Sequence, residues 1–155
     1  IYLADTTLAE NIAFGVLPEA IDLDRVRQAA RQAQIADFIE SRPKGYQTYA
    51  GEHGIHLSGG QRQRIGIARA LYKKASVLVF DEATSALDSA TEQSVMDAIE
   101  GLGRDITILL IAHRISTVQR CDTIVELERG HVAAQGAYEH LLECSPSFHR
   151  MAKPI

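Results

Sequence analysis

Cysteine is scarce in this chain. Cys121 and Cys144 are the two copies in 155 residues, and they form no C-x-x-C pair. Their scarcity argues against a disulfide scaffold and a paired-cysteine zinc site, and suits a reducing cytosol. Long apolar runs are missing too. The longest, Ile106 to Ala112, is strand-sized and contains Thr107, too short to span a bilayer as a helix. If the protein works at a membrane, another segment or chain supplies the span. An excess of positive charge is also absent: 16 basic and 20 acidic side chains leave a net charge of −4. That gives no support for a general nucleic-acid surface, and no nucleic-acid partner is expected. There is no internal repeat and no low-complexity segment. Ile1-Tyr2-Leu3 is neither an initiator Met nor a signal peptide, so an N-terminal truncation of a longer protein is expected.

What is present is ordinary and foldable. With 46% hydrophobic and 23% charged residues, the chain can build the core of about one domain. The first half reads as helices and loops. Thr7 and Glu10 stand at capping-box spacing before a short helix through Phe14, which Gly15 and Pro18 end. Asp22 is placed to cap a helix carrying Leu23, Val26, Ala30 and Ala33 on one face. A short helix over Ile35 to Glu40 is followed by the glycine-bearing loop Thr48 to Gly54. A strong helix then runs from Gly59 to about Lys73, with Ile65, Ala68, Leu71 and Tyr72 as its apolar stripe.

The second half alternates. Val77 to Phe80 and Ile106 to Ala112 are continuous apolar runs, predicted as buried parallel strands. Helices are predicted over Ser89 to Glu100 and Ser116 to Arg120. Strands are predicted over Thr123 to Glu128 and His131 to Gln135, around a turn at Arg129-Gly130. Tyr138 to Cys144 reads as the final helix. Strand–helix–strand alternation argues for an α/β layer.

Four places could carry chemistry. Asp81-Glu82 follows an apolar strand, and ligands of open α/β sheets sit beyond the carboxyl ends of strands. There Asp81 could bind Mg²⁺ together with substrate phosphates, and Glu82 could deprotonate a water. Equally, two acidic residues could simply end a strand at the surface. His113 follows the second strand and could contact a terminal phosphate or hold a water; a lone histidine is more often structural. Ser58-Gly59-Gly60-Gln61 opens a helix, whose free N–H groups and positive dipole end attract phosphate. Ser58 and Gln61 also fit a plain capping box. That reading leaves Gly59-Gly60 unexplained, because two glycines in a first turn cost roughly 1 kcal/mol each against alanine. Close approach of a ligand is the natural offset. Asp88 in Ser85-Ala86-Leu87-Asp88 could be no more than a helix cap.

Together these residues resemble the ATPase domains of ABC transporters. Leu57 to Gln61 looks like the signature motif and Val77 to Glu82 like Walker B with its catalytic glutamate. Ser85 to Asp88 looks like the D-loop, and His113 like the switch histidine. All four stand in family order within residues 57–113. Thr48 to Gly54 is similar to the loop before the signature in exporter-type domains, with Ala50 where valine is usual. Ile1 through Ile12 resembles the segment after the Q-loop, whose glutamine would fall just ahead of Ile1. The phosphate-loop pattern G-x-x-x-x-G-K-[ST] occurs nowhere in the 155 residues.

The resemblance implies an α/β, partial ABC-type P-loop NTPase fold with a mostly parallel sheet. Residues 1–74 would be the helical subdomain, and residues 75–155 the C-terminal part of the ATPase core. It implies ATP and Mg²⁺ as cofactors and a head-to-tail dimer with a second nucleotide-binding domain. Asp81 would hold the metal, with Glu82 and His113 catalytic at one ATP. Ser58, Gly59, Gly60 and Gln61 would serve the ATP of the partner, with Asp88 near the seam. A transmembrane domain would dock on the helical half, at the cytoplasmic face of the cell membrane. A soluble ABC ATPase acting on DNA or ribosomes is the alternative, and a non-catalytic interaction module is a third reading for these residues alone.

Overall fold

The computed structural model describes residues 1–81, 89–102, 106–112 and 114–152. The chain divides into two compact units, Ile1–Leu109 and Leu110–Ile155.

The first unit is mainly helical. Helix α1 (Leu8–Ile12) starts at the expected capping box. The Thr7 N–H donates to Glu10 Oε2 at 2.8 Å, and the Glu10 N–H to Thr7 Oγ1 at 3.2 Å. The helix stops at Ile12, short of Phe14, and Gly15 adopts φ +86° beyond it. Helix α2 (Leu23–Gln32) is capped by Asp22, whose carboxylate accepts from the Asp24 and Arg25 N–H groups. Its buried face is Val26, Ala29, Ala30 and the flanking Ala33. Leu23, expected on that face, is instead 41% exposed at the first position of the helix.

Helix α3 (Ala36–Glu40) and helix α4 (Gly59–Tyr72) complete this layer. Ile65, Ala68 and Tyr72 of α4 are buried as expected, with Ile67 and Gln63 added and Leu71 only half-buried. Tyr72 ties α4 to the start of α2. Its hydroxyl accepts the Asp22 N–H at 3.3 Å, its carbonyl accepts from the Arg25 guanidinium, and Arg25 stacks on its ring. The core centres on Leu3, Leu8, Ile12, Val26, Ile35, Ile39 and Ile65, all fully buried. Helix α5 (Ser89–Glu100) adds Val95, Met96, Ala98 and Ile99.

Strands β1 (Val77–Asp81) and β2 (Thr107–Ile111) pair as a two-stranded sheet. The Thr107 N–H donates to Ser76 O at 2.9 Å, which ties start to start and makes the pair parallel. The expectation that both strands are buried needs correction. Alternate residues Val77, Val79 and Leu109 are 55%, 60% and 53% exposed, and Leu78 is buried. One face is partly covered, with Leu78 buried and Phe80, Ile108 and Leu110 half-buried, and the other is exposed, because side chains alternate across a strand and each face needs its own cover.

In the second unit, helix α6 (Ile115–Val118) precedes a hairpin of β3 (Ile124–Glu128) and β4 (His131–Gly136). The two-residue turn Arg129-Gly130 has φ +50° and +80°, the double positive φ that suits the twist of a hairpin. Ile124, Leu141 and Phe148 form a small core under Ile115, Val118 and Tyr138. Helix α7 (Tyr138–Cys144) is not the last. A further helix, α8 (Pro146–Ala152), follows at once. Its sequence signal was Ser145-Pro146: the Ser145 hydroxyl accepts the Phe148 N–H at 3.2 Å, and proline suits a first helical position. The α/β class expected from the alternation is what the elements form.

Candidate functional site

Ser58 to Gln61 sits where α4 begins. The Ser58 N–H donates to Gln61 Oε1 at 2.9 Å, and the Gln61 N–H donates to Ser58 Oγ at 3.3 Å. The plain capping box is therefore real. It does not exhaust the site, since accepting one bond leaves the Ser58 hydroxyl proton available to an oxygen ligand. Ser58 is exposed, Gly59 and Gln61 are half-exposed and Gly60 is buried, so the positive end of this 14-residue helix is open to solvent at Ser58 and Gly59.

The loop feeding this end is tightly determined. Gly51 and Gly54 take φ +76° and +72°, and a side chain at Gly54 would meet Leu3 Cδ1 at 2.8 Å. The Arg62 guanidinium donates to Leu57 O at 2.7 Å, fixing the carbonyl just before Ser58. Arg62 and Arg69 carry no motif in the sequence. Both turn inward to backbone carbonyls, and only the fold reveals that. Burial pushes the guanidinium pKa of Arg64 and of Arg69 below its usual value.

Asp81 is the last residue of β1 and is exposed, at the carboxyl end of a parallel pair. A single accessible carboxylate there fits Mg²⁺, which takes one or two protein carboxylates and fills its shell with phosphate oxygens and water. Among the described residues no cluster of three or more histidine, cysteine or acidic side chains could hold a metal alone. Glu82, Asp88 and His113 lie outside the described residues. Glu82 follows Asp81 directly in sequence, and His113 comes two residues after the end of β2.

A helix N-terminus bearing Ser-Gly-Gly-Gln is thus followed in the chain by a parallel strand ending in a carboxylate, within an α/β domain. The profile of the ABC transporter family matches residues 3–85, and the chain belongs to that family. Over 143 residues it is 50% identical to the ATP-dependent lipid A-core flippase of Saccharophagus degradans, covering 92% of this chain and 24% of that protein. It is 48% identical over 141 residues to ABC transporter B family member 15 of Arabidopsis thaliana, covering 91% of this chain and 11% of that one. Among solved structures, a bacterial Atm1-family ABC exporter with ATP bound superimposes with a TM-score of 0.83 at 42% identity. That match covers 97% of this chain and 26% of the exporter. The chain thus spans about a quarter or less of the length of these relatives. No helix among its described residues is long and apolar enough to cross a membrane.

Proposed function

We propose that these residues are part of the ATP-hydrolysing domain of an exporter-type ABC transporter. The observation that carries the reading is the outward-facing Ser58 end of α4 combined with Asp81 at the carboxyl end of β1. The names of the relatives favour an exporter over a soluble ATPase acting on DNA or ribosomes. Residues 1–74 act as the helical subdomain that receives a transmembrane domain, and residues 75–155 as the C-terminal part of the ATPase core. The assembly works at the cytoplasmic face of a membrane.

Two such domains pair head to tail. Gly59 and Gly60 present N–H groups and Ser58 its hydroxyl to the phosphates of the ATP held by the partner, and Gln61 completes the site by closing the cap at the same helix end. Asp81 holds Mg²⁺, which when bound neutralises charge on the phosphate oxygens. Glu82 orients a water and takes its proton, His113 steadies the terminal phosphate, and Asp88 lies near the seam.

Purified full-length protein with Glu82→Gln tests this reading. Turnover is expected to fall by about a hundredfold or more while ATP-induced dimers still form. Hydrolysis at the unsubstituted rate refutes the assignment. The 155 residues alone, which contain no phosphate-loop motif, should bind ATP weakly or not at all. A dissociation constant of about 1 μM by calorimetry would contradict that.

A further inference from the structure

Arg69 lies eight residues beyond the Ser58–Gln61 motif, on α4, and makes no contact that the proposed chemistry uses. Its side chain is nevertheless fully committed. Nε donates to Asn11 O at 2.9 Å and Nη1 donates to Tyr2 O at 3.1 Å. Nη2 reaches Asn11 Oδ1 at 3.5 Å, and the guanidinium carbon lies 4.5 Å from the centre of the Phe14 ring. One planar fork thus addresses two carbonyls nine residues apart and stacks on an aromatic ring, which a lysine ammonium cannot do.

The group it grips is itself rigid. Asn11 is fully buried. Its Nδ2 donates to Ala4 O at 2.9 Å and Thr7 O at 3.1 Å, and its Oδ1 accepts the Ala4 N–H at 3.0 Å. This folds residues 4–11 into a closed loop. That loop is stitched in turn to the segment leading into Ser58. The Leu8 N–H donates to Thr48 O at 2.8 Å, and the Ala50 N–H to Thr6 O at 3.0 Å. Leu3 is fully buried and lies close to Gly54.

We infer that Arg69 is a positioning residue that fastens the Tyr2–Phe14 segment to α4, so that this segment and the Ser58 end of the helix move as one body. Its consequence for catalysis rests on the ATPase reading above; the brace itself does not. Loss of the brace leaves the Ser58 motif intact but poorly aimed, which weakens the engagement of ATP before it alters the chemical step.

Amide hydrogen exchange on the full-length protein tests the brace. In Arg69→Gln, amides of residues 3–13 and 58–63 should exchange about tenfold faster, while those of β3 and β4 keep their protection. Arg69→Lys should behave like Arg69→Gln, because a point charge does not replace the fork. Unchanged exchange, acceleration spread evenly along the chain, or full rescue by lysine would each overturn the inference. Should Arg69→Gln not fold, Phe14→Leu removes only the stacked ring and should accelerate the same amides about twofold.

In the full-length protein, Arg69→Gln should raise KM for ATP about fivefold and leave kcat within about twofold. A fall in kcat at unchanged KM is what a smaller folded fraction would give, and refutes the positioning role. If the unsubstituted full-length protein hydrolyses no ATP, the ATPase reading fails, and the exchange pattern still decides whether the brace exists.

Discussion

The helical layer and the β1–β2 sheet are built from equally apolar residues and treat them in opposite ways. Leu8, Ile12, Ile39 and Ile65 are fully buried, while Val77, Val79 and Leu109 are more than half exposed. The difference lies in cover. Helices α1 to α4 close on one another, and each needs only one stripe buried. A strand of continuous apolar sequence needs cover on both faces, and β1 and β2 have partial cover on one. An apolar run therefore states what a segment would bury, and its neighbours determine what it does bury.

The contrast can be broken most directly by substituting one residue in each region. Ile65→Ala should destabilise the first unit by about 2–5 kcal/mol, since it opens a cavity in a fully packed core. Val79→Thr on the bare face should change stability by no more than about 0.5 kcal/mol and reduce self-association. Urea titrations of both variants, with sedimentation of the second, check this. A loss above about 1 kcal/mol in Val79→Thr would mean that the face is covered in solution.

A smaller effect is expected where the helical layer depends on its caps. Asp22→Ala removes the acceptor for the Asp24 and Arg25 N–H groups and should cost about 1 kcal/mol, read as a lower urea midpoint. An unchanged midpoint would show that packing against Tyr72 alone holds the start of α2.

The smallest effect concerns Tyr46, whose hydroxyl donates to Glu40 Oε1 at 3.3 Å. Burial first, and then the Glu40 charge, push its pKa up from 10.0 to about 12. The neutral phenol is the form favoured by folding. Its contribution is complete below the unfolded value of 10.0 and disappears as pH rises through about 12. Tyr46→Phe should flatten this part of the alkaline stability profile. Phenolate absorbance of the wild type should show one tyrosine titrating late, and its absence would remove the prediction.

Local chemistry was legible wherever a short pattern forces one geometry. Thr7 with Glu10, Asp22 and Ser58 with Gln61 became the caps that their spacing implies, because a cap satisfies N–H groups within three residues of itself. The Arg129-Gly130 turn was equally readable. Ser145-Pro146 was a signal of the same kind for α8, hidden by its closeness to the end of α7. At the candidate site the motif order was readable without the fold, and it placed Ser58–Gln61 and Asp81 at element ends, as found. The roles of Arg62 and Arg69 were not readable, since their acceptors are carbonyls, which every residue carries and no pattern marks.

The sequence alone determined the family, the α/β alternation and the caps that start α1, α2 and α4, because each depends on residues close along the chain or on a fixed order of motifs. Tertiary structure alone decided which apolar residues are covered and which face of β1 and β2 is bare. It also decided that two arginines beyond the signature motif hold backbone in place. Those outcomes depend on backbone carbonyls that no pattern marks, near in sequence for Arg62 (Leu57) and distant for Arg69 (Tyr2 and Asn11), and on whether a second layer is present to complete a strand's burial.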